Sequence, residues 1–251
     1  MGKLCESELS PRVSRIVERA YSRAYDVNME EVAARGGPYA SFDEFFTRPL
    51  KPGARPVSED AVVSPADGRL ESTGPVEPSG RIFVKGRPYE VGELLGSPTE
   101  AAPFAGGSFA VVYLSPRDYH RVHCPVDGDV GLVRGIPGDL FPVNSIGERH
   151  VPRLFVRNNR VVIYIDTPGL GRVALIMVGA IVVGRISVTL VPGPAVPAGD
   201  HALSPRASVA RGDELGMFHL GSTAVMLLEP GLQIVRKTGP ILYGQSLLRV
   251  A

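Results

Sequence analysis

The sequence has little that would suit it to secretion, to a disulfide framework or to nucleic-acid binding. Its two cysteines, Cys5 and Cys124, are too few for a disulfide scaffold and fit a reducing compartment. The formal net charge of +1 provides no general attraction to a polyanion, so we expect no nucleic-acid partner. The N-terminus is polar and lacks the apolar core of a signal peptide, which argues against secretion.

Long apolar segments are also missing. The longest run, residues 173–183, is too short to cross a bilayer and is rich in β-branched residues. It predicts a buried strand, or a pair of strands around Gly179. No cluster of cysteine, histidine and carboxylate residues has the spacing of metal ligands, so no metal site is expected. We therefore expect a soluble protein, or one attached to a membrane only at its surface.

The N-terminal region has the periodicity of an amphipathic helix over residues 11–25. Its apolar positions 13, 16, 17, 20, 21 and 24 fall on one face, and arginines at 12, 15, 19 and 23 fall on another. Such a helix can lie on an anionic membrane surface, or it can pack on its own domain; the pattern leaves both open. Residues 41–56 then predict a short helix capped by Ser41, with Glu44 three residues later, that breaks at Pro49 and leads into a proline-rich connector.

From Val62 onward, short apolar segments alternate with turns rich in glycine, proline and aspartate. This pattern predicts an α+β fold that is mainly β, a barrel or sandwich with short N-terminal helices. A turn and short helix are expected over residues 85–96, and residues 190–205 are expected to form a surface loop. Strands are expected at 110–114, 154–157, 160–166, 172–178, 181–189, 223–228 and 232–236.

One short pattern occurs twice. Ser-Pro-Ala-Asp-Gly-Arg-Leu at 64–70 resembles Cys-Pro-Val-Asp-Gly-Asp-Val at 124–130, with Pro-x-Asp-Gly in the same frame. Each copy can form a strand, a tight turn with Asp-Gly at its tip, and a second strand. The repetition predicts a duplicated β unit.

A Gly-Ser pair at 221–222 carries the most specific chemistry. Glycine leaves the backbone free to adopt unusual angles, so the hydroxyl of Ser222 can attack the carbonyl of Gly221. That attack would give a backbone ester; elimination would then leave dehydroalanine, which hydrolyses to a pyruvoyl group. The alternative is an ordinary turn serine at the entrance to a strand.

His120 and His123 are the candidate acid–base residues. On a strand their spacing would put them on opposite faces, whereas in a turn they could converge. They could serve structure alone or move protons near neutral pH. Cleavage at Ser222 needs a base, an acid that orients this base, and a polarised carbonyl at Gly221. The Asp-Gly turns at Asp67 and Asp127 are candidates for the orienting acid, although either could be only a turn residue.

Several motifs occur together in a fixed order along the chain. They are Phe-Phe-Thr-Arg-Pro-Leu at 45–50, Ser-Pro-Ala-Asp-Gly at 64–68, Leu-Ser-Pro-Arg-Asp-Tyr-His-Arg-Val-His at 114–123, Leu-Phe-Pro-Val-Asn at 140–144 and Phe-His-Leu-Gly-Ser-Thr at 218–223. In their order and spacing they resemble those of the pyruvoyl-dependent phosphatidylserine decarboxylases. The resemblance extends from about residue 42 to about residue 244.

The resemblance implies self-cleavage between Gly221 and Ser222. The products would be a β chain of residues 1–221 and an α chain of residues 222–251, whose first residue is a pyruvoyl group made from Ser222. By position, Asp67, His123 and Ser222 would form the triad that drives cleavage, and His120 would act in decarboxylation as the group that protonates the carbanion. Residues 1–56 would be the N-terminal membrane-contact region and connector, and residues 57–251 the catalytic β domain.

The implied reaction converts phosphatidylserine to phosphatidylethanolamine and carbon dioxide. The pyruvoyl carbonyl would form an imine with the serine amine, and loss of carbon dioxide would leave a carbanion delocalised into that imine. The resemblance also implies a homodimer, attached peripherally to the cytoplasmic face of the cell membrane.

Two other functions remain open at the level of sequence. Ser222, His123 and Asp67 could act as a serine hydrolase on an external ester without chain cleavage. The absence of a Gly-x-Ser-x-Gly elbow counts against the common hydrolase fold. Alternatively, the duplicated β unit could be a non-catalytic binding scaffold.

Overall fold

A computed structural model describes residues 5, 7–143, 145–181 and 184–248. The helices are α1 Pro11–Tyr25, α2 Phe42–Phe46, α3 Val91–Leu95, α4 Ser145–His150 and α5 Leu154–Arg157, with 3₁₀ turns at Pro98–Glu100 and Ala102–Phe104. The strands are β1 Gly68–Pro75, β2 Arg81–Val84, β3 Arg87–Glu90, β4 Ser108–Leu114, β5 Arg121–His123, β6 Gly128–Ile136, β7 Arg160–Thr167, β8 Gly171–Gly179, β9 Arg185–Val188, β10 Gly199–Val209, β11 Glu214–His219, β12 Ser222–Leu228 and β13 Gly239–Ile241.

A large antiparallel sheet forms the centre of the fold. Its strand order is β10-β6-β7-β8-β12-β4-β1-β13, and a second sheet of order β5-β11-β9 packs on one face. Val122, Ile186 and Phe218 of the small sheet join the core on that side. On the opposite face, the β2–β3 hairpin and helices α3 and α5 cover a second core. The expected sandwich-like, mainly β fold is confirmed, and the described sheets do not close into a barrel.

The central strands are apolar without interruption because both of their faces are covered. Every residue of β12 is buried, and β8 is buried from Val173 to its end. A strand with one face in water would instead alternate between apolar and polar residues. This arrangement explains the apolar run that begins at residue 173; its residues 182 and 183 lie outside the described part of the chain.

The duplicated β unit is confirmed in three dimensions. Gly68 and Gly128 each begin a long strand of the large sheet. Both strands also shift register at the same place, between the second and fourth residues after the glycine. The short repeat in the sequence therefore marks two copies of one local structure.

The two copies also bind each other with two-fold-like symmetry. The amide of Val63 donates to the carbonyl of Pro125 at 2.9 Å, and at the equivalent positions the amide of His123 donates to the carbonyl of Pro65 at 2.8 Å. The side chains that open the two motifs also match, since Ser64 Oγ and Cys124 Sγ each donate to the carbonyl two residues later. This pairing brings His123, in the second copy, beside the backbone that leads to Asp67 in the first.

The N-terminal helices match their predicted positions. Helix α1 spans the expected residues, and Ser41 Oγ accepts the amide of Glu44 at 3.1 Å, so Ser41 caps α2 as expected. Helix α2 ends at Phe46, before Pro49. Helix α1 packs on its own domain through Ser14, whose hydroxyl donates to the carbonyl of Tyr39, and through its tyrosine ring at position 21, which contacts the aromatic rings of α2.

Other local predictions were wrong. Residues 154–157 form helix α5 rather than a strand, because three apolar residues in a row do not distinguish the two. Residues 232–236 are not in a strand. The predicted loop over 190–205 contains the first half of β10, which pairs with β6 and is an edge strand among the described residues; an edge position tolerates Pro205. Strands β2, β3, β5, β11 and β13 were not predicted. Residues 85–96 contain the expected short helix, α3, but also β3, where only a turn was expected.

Candidate active site

The bond between Gly221 and Ser222 lies in the two-residue connection from the small sheet to the large one. Leu220 has φ +93° and Gly221 has φ +47°, both on the left-handed side of backbone space. A bulky residue such as leucine rarely adopts this conformation, which costs energy unless the surroundings impose it. Ser222 is then fixed as the first residue of β12, opposite Leu114 of β4 and Gly179 of β8. The bond thus joins a strained turn to a firmly held central strand.

Ser222 is fully buried, and among the described residues its Oγ has no hydrogen-bond partner. The neighbouring Thr223 Oγ1 shares this property. A buried hydroxyl without a partner destabilises the folded state. Such a cost fits a serine retained for reaction rather than for packing.

His123 is held in the tautomer that a base requires. Its Nδ1 lies 2.7 Å from the carbonyl oxygen of Gly212, so Nδ1 carries the proton and donates it. Nε2 then has a free lone pair, which accepts the hydroxyl of Tyr119 at 3.1 Å. The imidazole also stacks on the ring of Tyr243 at 3.7 Å. Burial lowers the pKa of His123, which favours the neutral form at pH 7.

Asp67 lies in a buried ion pair close to this histidine. Its Oδ2 accepts Arg55 Nε at 3.0 Å and a terminal nitrogen of the same guanidinium at 2.7 Å, while Oδ1 accepts the amide of Tyr243 at 2.8 Å. Burial raises the pKa of Asp67, and Arg55 opposes that rise. The equivalent Asp127 of the second copy has a side chain 58% exposed. Of the two Asp-Gly turns, only the first therefore supplies a carboxylate to this region.

His120 is completely buried just before β5. Its Nδ1 lies 2.9 Å from the carbonyl of Asp118, and Nε2 has no partner in the described part of the chain. The ring of Phe46, from α2, lies 4.0 Å away. Burial lowers the pKa of His120 to about 3, so the imidazole is neutral at physiological pH. Its Nε2 therefore presents an unpartnered lone pair in the interior, while burial disfavours the protonated form.

The small sheet brings these residues into one region without joining them in a single hydrogen-bonded chain. The amide of Phe218 donates to the carbonyl of His120 at 2.9 Å, near the end of β11 that leads to Ser222, whereas His123 lies opposite Glu214 at the other end. At His123 Nδ1, the carbonyl of Gly212 occupies the place that a carboxylate has in a Ser-His-Asp triad. Asp67 reaches this histidine only through Tyr243.

Two buried residues of this region had no predicted role. Arg48 is 2% exposed and donates to the carbonyls of Arg117 and Asp118, and so supports the loop that carries His120. Asn158 is fully buried; its Nδ2 donates to the carbonyls of Phe141 and Gly179, the latter directly opposite Ser222. Membership of the motif at 45–50 was the only feature of the sequence that pointed to a role for Arg48. Nothing in the sequence distinguished Asn158. The asparagine of the motif at 140–144, Asn144, lies outside the described residues.

A cavity of about 270 Å³ opens beside this region. Its walls include Arg48, Arg55, Asp67, Asp118 and Tyr119. Cationic and anionic side chains thus line the same space. Such a mixture suits a ligand that carries both an ammonium group and acidic groups.

The described ranges lack two features, a cluster of metal ligands and a membrane-spanning helix. No group of three or more histidine, cysteine or carboxylate side chains there could hold a metal ion. Among those residues, too, no helix combines the length and the apolar character needed to span a bilayer.

The chain matches the family model described as phosphatidylserine decarboxylase over residues 42–249. A phosphatidylserine decarboxylase proenzyme of Acinetobacter baumannii is 43% identical over 235 residues, which cover 91% of this chain and 81% of the relative. Proenzymes of the same name from Bordetella avium and Bordetella pertussis are 42% and 40% identical, with 98% of this chain and 88% of each relative covered.

These matches place the chain among the carboxy-lyases, the class that removes carbon dioxide from a substrate. The chain belongs to the phosphatidylserine decarboxylase family.

Proposed function

We propose that the protein decarboxylates phosphatidylserine to phosphatidylethanolamine, using a pyruvoyl group that it makes from its own Ser222. The observation that carries the proposal is a buried serine hydroxyl without a partner, directly after a turn with two left-handed residues. Family membership supplies the substrate class, because the relatives are named phosphatidylserine decarboxylase proenzymes.

In the first step, Ser222 Oγ attacks the carbonyl carbon of Gly221. The C–N bond breaks, the acyl group moves to oxygen, and the nitrogen of Ser222 becomes a free amine. Loss of the Cα proton then expels the Gly221 carboxylate and leaves dehydroalanine, which takes up water and releases ammonia to give the pyruvoyl group. A base must accept the hydroxyl proton, and we assign this role to His123, whose Nε2 has the required lone pair. Because His123 lies beside Glu214, at the far end of β11 from Ser222, the step also requires the small sheet to move and bring the two side chains together.

Asp67 acts in this scheme as a positioning residue. Its carboxylate holds the amide of Tyr243, whose ring is parallel to the imidazole of His123 within 2°. Arg55 keeps the carboxylate in place from the other side. The triad of Asp67, His123 and Ser222 is thus proposed with an aromatic ring between its acid and its base.

The site fits a pyruvoyl group at position 222. The residue is the first of a strand paired on both sides, so a new chain terminus there would remain fixed in the buried sheet. When present, the pyruvoyl group supplies the electron sink for decarboxylation. We assign His120 to proton transfer in decarboxylation: nearby anionic groups of a bound substrate would raise the pKa of the imidazole, and Nε2 could then carry a proton to the carbon that has lost its carboxyl group.

Alanine variants of the two histidines test this division of roles. We expect His123→Ala to remain an intact chain, and His120→Ala to be cleaved but to release no carbon dioxide from phosphatidylserine in mixed micelles. Wild-type protein should be cleaved and active. Labelling of Ser222 by a serine-hydrolase reagent, with no carbon dioxide release, would support the hydrolase instead, and an intact, unreactive wild-type chain would support the scaffold.

We also propose that α1 attaches the protein peripherally to an anionic membrane surface. Val13 and Ile16 are 45% and 67% exposed, so much of the apolar stripe of the helix is not used for packing. The arginines at 12, 15, 19 and 23 are exposed beside this stripe. Burial of apolar side chains together with attraction to anionic lipids is how such helices bind membranes.

Vesicle sedimentation tests the membrane proposal. Wild-type protein should sediment with vesicles that contain phosphatidylserine, and Ile16→Asp should reduce that fraction severalfold. The substitution Arg206→Gln removes an arginine that is 58% exposed and lies on β10, outside α1, and so serves as the control. Equal binding by all three proteins would contradict a role for α1.

The division into residues 1–56 and 57–251, the homodimer and the position at the cytoplasmic face also remain proposals. Residues 42–56 contribute Phe46, Arg48 and Arg55 to the catalytic region, so the N-terminal part would serve the site as well as the membrane. Sedimentation velocity of the Ser222→Ala variant would test the dimer.

A further inference from the structure

A second Asp-His-Ser arrangement lies immediately before the proposed cleavage site. Asp43 is on α2, His219 is the last residue of β11 and Ser187 is on β9. His219 Nδ1 lies 2.8 and 2.9 Å from the two carboxylate oxygens of Asp43, and its Nε2 lies 3.0 Å from Ser187 Oγ. We call these three residues the clamp.

Three atoms surround His219 Nδ1: the two carboxylate oxygens of Asp43 and, at 2.8 Å, a terminal nitrogen of Arg185. We assign the proton to Nδ1, which donates it to the carboxylate, because the same guanidinium nitrogen already has Asp43 as its acceptor. Nε2 then accepts the hydroxyl of Ser187. A terminal nitrogen of Arg185 donates to the same carboxylate at 2.6 Å and fixes it from another direction. The side chains of His219 and Asp43 are only 8% and 13% exposed, which shields the contact from water and salt.

The clamp fixes one end of the strained turn. His219 is followed directly by Leu220 and Gly221, the two residues with positive φ, and Ser222 is fixed at the other end by pairing on both sides. Two residues must therefore connect two immobile points. Backbone strain persists only where the surrounding structure over-determines it, and the clamp supplies that constraint on the upstream side.

We propose that the clamp holds the turn in the conformation from which Ser222 attacks Gly221, and that His219 is a positioning residue for self-cleavage. The inference rests on the proposed cleavage between these two residues. It makes α2 necessary for processing, because Asp43 and Phe46, which packs on His120, come from this one short helix.

Three substitutions of His219 separate the two ring nitrogens. The side-chain amide of asparagine stands near the position of Nδ1, whereas that of glutamine stands near Nε2. If the bond to Asp43 holds the turn, His219→Asn should be cleaved at close to the wild-type rate. His219→Gln and His219→Leu should be cleaved at least about tenfold more slowly, the effect expected for loss of a hydrogen bond to a charged group.

The measurement follows the intact fraction of each full-length chain with time after cell-free synthesis. Asp43→Asn should be cleaved as slowly as His219→Gln and His219→Leu. Glu44→Gln is the matched control: this carboxylate is on the next residue of α2, is 46% exposed and contacts Arg35. Glutamine keeps an oxygen to accept the amide of Ala40 at the start of the helix, so this substitution should leave the rate unchanged. Once cleaved, each variant should show the wild-type rate of decarboxylation per pyruvoyl group.

The inference is overturned if His219→Gln and His219→Leu are cleaved at the wild-type rate. It is also overturned if all three variants are equally slow and melt at equally reduced temperatures in the Ser222→Ala background, because the histidine would then serve folding alone. A wild-type chain that stays intact is a different result and would remove the proposed function itself.

Discussion

Loss of Arg55 should expose the cost of holding Asp67 in the protein interior. The Arg55 and Asp67 side chains are 6% and 4% exposed, and the guanidinium supplies two of the three hydrogen bonds to the carboxylate. Arg55→Met keeps an apolar side chain of similar length but leaves the carboxylate with the amide of Tyr243 alone. Removal of one partner from a buried ion pair costs about 3–5 kcal/mol.

The expected loss corresponds to a fall in melting temperature of about 6–20 °C, since 1 kcal/mol shifts a chain of this size by about 2–4 °C. Asp67→Asn in the same chain removes the unpaired charge and keeps an acceptor for Tyr243. The double variant should therefore recover at least about half of the lost stability.

Urea unfolding in the Ser222→Ala background gives the free energy of one continuous chain. Burial raises the pKa of Asp67, and loss of Arg55 raises it further. A raised pKa in the folded state gives stability that is present at low pH and is lost as the pH rises through that pKa. The deficit of Arg55→Met should consequently be largest near pH 8 and shrink toward pH 5.

The matched control is Arg153→Met. Its arginine side chain is 58% exposed and forms an ion pair with Glu93, which the substitution removes. Exposed pairs of this kind contribute less than about 1 kcal/mol. Two results would contradict a stabilising role of Arg55 for the Asp67 carboxylate. Either Arg55→Met destabilises the protein no more than the control does, or its loss of unfolding free energy does not change with pH.

Three further predictions concern the histidine, the repeat and the buried asparagine. Burial lowers the pKa of His120 to about 3, so this residue should reduce the stability of the wild-type protein as the pH falls below about 6.5, by about 3 kcal/mol at pH 4.5. His120→Asn should remove this contribution and leave only that of the other titrating groups, such as His123; an unchanged pH dependence in urea titrations would contradict the prediction. Asp67→Asn should leave the chain intact on a denaturing gel, because the buried Asp67 supports cleavage. The variant at the equivalent but exposed position, Asp127→Asn, should be cleaved normally. Equal cleavage of the two variants would contradict the claim that only the first copy of the repeat serves the site. Asn158→Leu should cost about 2–4 kcal/mol in urea unfolding because it leaves the carbonyls of Phe141 and Gly179 without their donor, and a loss below about 1 kcal/mol would show that water replaces it.

The sequence predicted the parts of the fold that depend on local pattern. The periodicity of residues 11–25 and the cap at Ser41 depend on contacts within a few residues, and both are confirmed. The repeated Pro-x-Asp-Gly motif predicted a duplicated unit, and the structure adds that its two copies pair with each other. That pairing connects residues about 60 positions apart, which no local pattern encodes.

The candidate site was predictable only as a set of separate residues. Ser222, His120, His123 and Asp67 stood out because their side chains carry chemistry. Their partners did not, because Tyr243 meets His123 through the C-terminal segment. The clamp was likewise invisible: Asp43 and His219 are 176 residues apart, and only the packing of α2 beside the end of β11 brings them together.

The central claim is that the chain cuts itself before Ser222, and intact mass spectrometry of the purified protein tests it most directly. The wild-type protein should give two masses that meet at residues 221 and 222, with the smaller fragment blocked by a ketone-reactive pyruvoyl group. Ser222→Ala should give one full-length mass. A single full-length wild-type chain under native conditions would contradict the account, because no pyruvoyl group could then have formed.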